Sequence, residues 1–317
     1  MRFPTISPRT YRRITLVALG LLGLIIITGG AVRLTGSGLG CTNWPTCEKG
    51  QVVAPLQYHA MIEFGNRLVT GAVSVVVIVA VLGSLARRPR RRDLVWLSLG
   101  LVAGVLGQIV LGGLTVLFDL APPLVMAHFG LSMAILACAV VLHHRAGRPD
   151  DGRPVPLAPP PIAPMGGLLV AATALVVLLG TVVTGAGPHP GSNGDQVVAR
   201  LQFNLHDVAR LHGVAVMILL ALVVTTVAAL VQARAPRAVL RRAEGLLAVL
   251  VAQAAVGYTQ YFLGVPALLV GVHIAGATAV WASVLWFRLG LVEWVPAAPV
   301  AVGGAAERSP AQVLAPT

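Results

Sequence analysis

Eight long apolar runs recur along the chain, separated by short stretches rich in glycine, proline and charge. They fall near Ile14–Leu34, His59–Leu85, Leu94–Val116, Pro123–Leu142, Met165–Ala186, His206–Val231, Ala243–Phe262 and Pro266–Leu289. Each reaches the roughly 18–20 residues that a helix needs to cross the hydrocarbon of a bilayer. The pattern predicts an all-α integral membrane protein with eight transmembrane helices. Pro and Gly inside the runs are compatible with that reading, because neighbouring helices can satisfy the backbone groups they free. The first run follows Arg9, Arg12 and Arg13 as a secretory signal would. It continues as "TGGAVRLTGSGLG" with no small-residue cleavage site, so we read it as a retained helix.

Composition agrees. Charged residues make up 11% of the chain, where a soluble domain has about a quarter. The formal net charge of +12 invites a nucleic-acid reading, but the placement of the charges argues against one. With eight spans, 18 of the 23 Lys and Arg fall on one side: before the first span, in Arg87–Arg92, Arg145–Arg153 and Arg234–Arg242, and at Arg288 and Arg308. Arg33, Lys49, Arg67, Arg200 and Arg210 fall on the other. By the positive-inside rule both termini are expected in the cytoplasm of a multi-pass cell-membrane protein. The basic excess is then a topology signal with some attraction to anionic membrane lipid. Cys41 and Cys47 share the first outer loop, "GCTNWPTCEKG". Free thiols or metal ligands are alternatives, but two thiols lack the further ligands a metal requires and an oxidising compartment favours a disulfide. Cys138 reads as a packing residue inside span four.

The chain divides near "RAGRPDDGRPVPLAPPPIAP", a Pro-rich stretch of little helical character. Residues 1–145 form one expected four-helix bundle and residues 165–292 another. Residues 146–164 read as a cytoplasmic linker, and 293–317 as a low-complexity disordered tail. Span four, "LVMAHFGLSMAILACAV", lies over span eight, "LLVGVHIAGATAVWASV", so that His128 coincides with His273. Span two, "IEFGNRL", lies over span six, "DVARLHG", which puts Asn66 on His212. Four helices per half make the two bundles parallel, pseudo-symmetric repeats.

Three of the eight histidines sit inside spans, His128, His212 and His273, each about 8–10 Å in from the outer edge. A lone histidine in such a place most simply bonds a backbone carbonyl. Repeat-related histidines at matched depth point instead to haem, since polar groups in lipid are costly and imidazole suits iron. His59, His143, His144, His189 and His206 are weaker candidates. In "HAMIEFGNRLVTG", Glu63, Asn66, Arg67 and Thr70 form one stripe of span two at i, i+3, i+4 and i+7. The second half presents two facing histidines, whereas the first presents His128 opposite Asn66, a poor iron ligand. An iron held by His128 alone keeps an open position beside Glu63, an arrangement suited to oxygen chemistry with a nearby proton donor or acceptor. A simple Glu63–Arg67 ion pair is the bland alternative.

These residues carry a resemblance. "GGAVRLTGSGLGC", the Cys-flanked outer loop, "IEFGNRLVTG" and one histidine in each of spans four, six and eight are similar to the haem A synthase family over about residues 14–290. The resemblance implies oxidation of the C8 methyl of haem O to a formyl group in two monooxygenase-type steps using O2, the product serving cytochrome c oxidase. It implies haem b on His212 and His273, substrate haem near His128 with Asn66 and Arg67 at its edge, and Glu63 as the catalytic carboxylate. It carries over the Cys41–Cys47 disulfide. Haem sites near the outer face, an external electron donor, and haem O synthase and cytochrome c oxidase assembly as partners also follow from it. The chain departs from the family at Asn66, where members have histidine, and lacks a second cysteine pair before span six. Competing readings are a bis-histidine di-haem electron-transfer cytochrome and a transporter.

Overall fold

The computed structural model describes residues 5–48, 50, 51, 53–193 and 197–297. Among them are eight long helices: α1 (Pro8–Leu34), α2 (Tyr58–Ala86), α3 (Arg92–Leu117), α4 (Pro122–Ala146), α5 (Ala163–Ala186), α6 (Leu205–Gln232), α7 (Arg237–Phe262) and α8 (Ala267–Leu289). Local chemistry sets several of their starts. Ser7 caps α1 by accepting the Thr10 N–H at 3.1 Å, and Pro8 fills the first helical position without leaving an N–H unpaired. Asn204 caps α6 through the His206 N–H at 2.9 Å.

Seven of the helices are long and apolar enough to cross a membrane, which makes this a multi-pass membrane protein. Of the eight expected spans, α7 is the one whose composition falls short of that standard. That helix opens with Arg237, Arg241, Arg242 and Glu244, carries Gln253, Tyr258, Gln260 and Tyr261 further on, and is the least apolar of the eight. Outward-facing side chains elsewhere are aliphatic, among them Leu16 on α1, Leu82 on α2, Leu106 on α3 and Ile218 on α6. Lipid accepts that surface, whereas water would penalise it at roughly 25 cal/mol per Å².

Helix α1 packs on α2 and α4, and α3 packs on α2 and α4. Likewise α5 packs on α6 and α8, and α7 packs on α6 and α8. One buried apolar cluster joins Leu22, Val73, Val77, Leu101 and Ile135 of α1–α4. A second joins Leu169, Leu219, Val223, Leu250 and Val284 of α5–α8, and takes in Ile26 of α1 and Met133, Leu136 and Val140 of α4. Across that seam the Trp281 indole N–H donates to the Met133 carbonyl at 2.9 Å.

The two ends of the molecule differ. One end gathers the starts of α1, α3 and α7 and the ends of α2, α4 and α8, with ion pairs Arg87–Asp150 and Arg91–Asp93 at 2.6 and 2.8 Å. Here β1 (Arg153–Pro156) pairs antiparallel with β2 (Val292–Val295). The stretch read as a Pro-rich linker is thus clipped to the chain that follows α8. The tail expected from residue 293 onward begins inside β2, and residues 298–317 lie outside the described residues. At the other end, Gly38 N–H meets the Gly191 carbonyl at 2.7 Å, joining the loop after α1 to the loop after α5. The α3–α4 and α7–α8 turns both close on a residue with left-handed backbone, Leu120 (φ 57°) and Val265 (φ 61°).

Candidate functional site

Helix α2 begins beside the loop that follows α1, and the contact between them is tight. A Cβ on Gly40 would overlap the carbonyl of His59, so only glycine lets the loop backbone lie on this helix turn. That approach delivers the Cys41 N–H to Glu63 Oε2 at 2.7 Å. The other carboxylate oxygen, Oε1, accepts from Arg67 Nη2 at 2.6 Å, one helical turn on. Arg67 also donates to the loop carbonyls of Asn43, Pro45 and Thr46 at 3.2–3.3 Å. Cys41 and Cys47 are joined by a disulfide and fully buried among Ala54, Ala60 and Phe64. Glu63 is 6% exposed. The ion pair and the special environment of Glu63, alternatives in the sequence, are therefore one structure: Arg67 staples the disulfide loop over α2 and holds the carboxylate at the same time.

Asn66 is committed elsewhere, its Oδ1 accepting the Thr28 hydroxyl of α1 at 2.8 Å. His59 does not reach Glu63 through a ring nitrogen; its Nδ1 meets Ser37 Oγ at 3.0 Å.

The histidines sort cleanly by hydrogen bonding. Besides His59, His143 meets Thr15 Oγ1 at 3.0 Å, His144 meets Arg148 Nη2 at 3.3 Å, His189 meets the Val265 carbonyl at 2.8 Å, and His206 meets the Tyr261 hydroxyl at 2.9 Å. Among the described residues, His128 and His273 are different: the Nδ1 of each is buried with no hydrogen-bond partner, and for His212 the nearest polar group is the Val176 backbone of the preceding helix. A buried polar atom left unpaired costs about 1–3 kcal/mol, so these positions call for an explanation.

Each of these rings rests its Cε1 edge on a glycine of the preceding helix. A Cβ on Gly112 would lie 3.2 Å from His128, on Gly180 3.2 Å from His212, and on Gly257 3.0 Å from His273. The backbone beneath two of them is braced in the same way: Gln108 donates to the His128 carbonyl at 2.9 Å and Gln253 to the His273 carbonyl at 2.8 Å. The His212 and His273 rings face one another with centroids 6.4 Å apart. A metal–imidazole bond of roughly 2.0–2.1 Å, plus about 1 Å from nitrogen to ring centre, puts two imidazoles on opposite sides of one iron roughly 6 Å apart. The pair therefore fits a bis-histidine haem in its spacing and in the glycine seat of each ring.

Two arginines missed in the sequence lie one turn outward. Arg33 Nη2 donates to the Thr184 carbonyl at 3.1 Å and Arg200 Nε to the Gly185 carbonyl at 3.3 Å, both at the end of α5. Arg33 Nε and Arg200 Nη2 are buried without partners, and the two guanidiniums repel each other. Burial pushes the pKa of Arg200 down. Their isolation along the chain hid them; what marks them is a pair of cations sharing a site with no carboxylate partner among the described residues.

Comparison with known proteins follows the same residues. The family model described as COX15-CtaA, cytochrome oxidase assembly protein, matches residues 12–60 and 50–285. Heme A synthase of Symbiobacterium thermophilum is 34% identical over 197 residues, covering 59% of this chain and 63% of that protein. Heme A synthase of Shouchella clausii is 36% identical over 130 residues, 40% and 42% of the two chains. Heme A synthase of Lysinibacillus sphaericus is 32% identical over 121 residues, 38% and 39%. The matches thus span between about two fifths and three fifths of these relatives' lengths.

Proposed function

The chain belongs to the COX15-CtaA family of cytochrome oxidase assembly proteins, and on that footing we propose that it is a haem A synthase. It oxidises the C8 methyl of haem O to a formyl group, using O2 and electrons from an external donor. The observation that carries the reading is the facing pair His212 and His273, with ring centroids 6.4 Å apart, together with His128 at the position related to His273 and a glycine of the preceding helix against each of the three rings.

His212 and His273 would hold a haem b, whose chemistry there would be one-electron transfer. His128 receives the iron of haem O in the other half. Asn66, bonded to Thr28, offers no imidazole there, which leaves one side of that iron for oxygen. Glu63 is the acid–base group; its two N–H donors, from Cys41 and Arg67, fix its orientation. Arg67 acts as a positioning residue, since its remaining donors hold the loop. Arg33 and Arg200, about 6 Å along α5 from Gly180, supply positive charge for porphyrin carboxylates.

The two halves, residues 1–145 and 165–292 joined by 146–164, are parallel repeats of one four-helix bundle. Support comes from four pairs spaced by 145 residues: Gln108 and Gln253, Gly112 and Gly257, Leu120 and Val265, His128 and His273. The end rich in arginine faces the cytoplasm of the cell and holds both termini, with the haem sites toward the outer face. Haem O synthase and the assembly of cytochrome c oxidase are the natural partners on either side of the reaction.

Pyridine-haemochrome analysis of the purified chain, expressed with a haem O source, tests the assignment. Haem B together with haem O or A is expected. Haem B alone would reassign the protein as an electron-transfer cytochrome, and absence of any haem would remove the reading altogether.

A further inference from the structure

At the end opposite the histidines, the arginines divide into two classes. Asp93 and Asp150 provide the acidic partners for Arg87, Arg91 and Arg145. Among the described residues, Arg12, Arg148 and Arg242 have no ion pair, and all three line one cavity of about 210 Å³ together with His144, Trp286 and Trp294.

The three guanidiniums come from separate elements: the start of α1, the turn after α4 and the start of α7. Glycine makes room for two of them. A Cβ on Gly147 would lie 3.1 Å from Arg12 Cζ, and one on Gly290 would overlap the Arg242 guanidinium. Tryptophans set the other faces, with Arg148 4.4 Å above the Trp294 ring and Arg242 5.3 Å above Trp286. Stacking on an indole occupies the flat face of a guanidinium and leaves its edge N–H groups free.

Those edges are largely unused. Arg12 and Arg242 donate no hydrogen bond to the described protein, and Arg148 makes one, to His144, while its Nε is buried without a partner. Burial and the neighbouring Arg145 and Arg91 push Arg148 down to about 10, which still leaves it charged at neutral pH. Glu293 is the one carboxylate in the wall; it is exposed and acts electrostatically on Arg242. Three cations therefore converge on a concavity with a single acid.

Size, charge and depth narrow the ligand. Forked N–H donors from three directions match a tetrahedral oxyanion better than a planar one. The cavity lies at the helix ends, the level of lipid headgroups, with indoles of the kind that line membrane interfaces. We propose that this pocket binds a phosphate group, carried by an anionic phospholipid or free in solution. It touches α1, α4, α7, α8 and β2, so an occupant ties the two halves together on the side away from the haem sites.

The test uses the full chain, delipidated in a non-ionic detergent at fixed ionic strength. Thermal unfolding and native mass spectrometry are followed with added phosphatidylglycerol, phosphatidylcholine or inorganic phosphate. A melting temperature raised by several degrees and a retained adduct with phosphatidylglycerol but not phosphatidylcholine supports the lipid source. The same shift with inorganic phosphate alone supports the pocket with free phosphate as its ligand. The double variant R148Q/R242Q is expected to weaken binding at least tenfold, and R9Q/R13Q, which removes equal charge outside the cavity, to leave it unchanged. Should R148Q/R242Q fail to fold, R148K/R242K keeps the charge but loses the fork and is expected to bind more weakly than the parent. Equal binding by R9Q/R13Q and the pocket variants overturns the proposal, as does indifference of the parent to both phosphatidylglycerol and phosphate.

Discussion

Gly257→Ala isolates the clearance that a haem ligand needs. The added methyl would sit 3.0 Å from His273 Cε1 and 3.5 Å from its Nδ1, where carbon atoms in contact prefer about 3.5–4.0 Å. The ring must therefore retreat by roughly half an ångström or more, and overpacking of this kind costs about 1–3 kcal/mol. Against that stands a gain of about 1 kcal/mol from replacing a helical glycine by alanine. The net is a small loss of stability, but a displaced ligand, and His273 must meet His212 across 6.4 Å. Gly245→Ala in the same helix is the control, because a Cβ there meets nothing within 4 Å. Absorption and electron paramagnetic resonance spectra of the purified variants are the readout. Gly257→Ala is expected to lose or broaden the low-spin bis-histidine signal while staying folded by circular dichroism. Gly245→Ala is expected to keep the signal and melt at an equal or higher temperature. An unchanged low-spin spectrum in Gly257→Ala would refute the assignment of His273 as a ligand seated on that glycine.

Other substitutions probe the rest of the site. Glu63→Gln keeps shape and burial but removes the acid, so the haem b spectrum should persist while haem A formation, followed by haem extraction, falls by at least a hundredfold; normal turnover would exclude Glu63 from proton transfer. Arg67→Lys keeps a charge beside Glu63 yet cannot span Asn43, Pro45, Thr46 and the carboxylate together; we expect stability to fall by about 1–3 kcal/mol and activity to fall with it, measured by thermal unfolding and turnover. Arg200→Gln should lower haem retention during purification without loss of helix content, and full retention would leave its buried Nη2 unexplained by a porphyrin carboxylate. His212→Ala should abolish the low-spin signal, whereas His206→Ala, which loses only a tyrosine contact, should not.

What could be read from the chain alone follows from the solvent. In lipid a helix must satisfy its own backbone, so length and apolarity locate helices with little help from tertiary contacts, and seven of eight spans emerge that way. Helix α7 shows the limit: its glutamines and tyrosines lower its apolarity because Gln253 is spent on bracing the His273 carbonyl, a contact made across 20 residues and a turn. The strand pair β1–β2 was invisible for a similar reason, since four residues of proline-rich chain gain order only from a partner more than a hundred residues away.

The histidines make the same point more sharply. Depth in the apolar run picked out His128, His212 and His273, but depth alone does not separate a ligand from a satisfied core residue. His143 is also buried, and what excludes it is Thr15, 128 residues distant; His189 is occupied by a carbonyl 76 residues away, His206 by a tyrosine 55 away and His59 by a serine 22 away. Those partners come from folding and cannot be read from local pattern. What the fold adds at His128, His212 and His273 is a glycine of the preceding helix against each ring, which seats the imidazole where a larger residue would displace it. An imidazole in a membrane is costly enough to need a reason. For His212 and His273, which face one another at the spacing of two ligands to one metal, the reason we propose is haem iron.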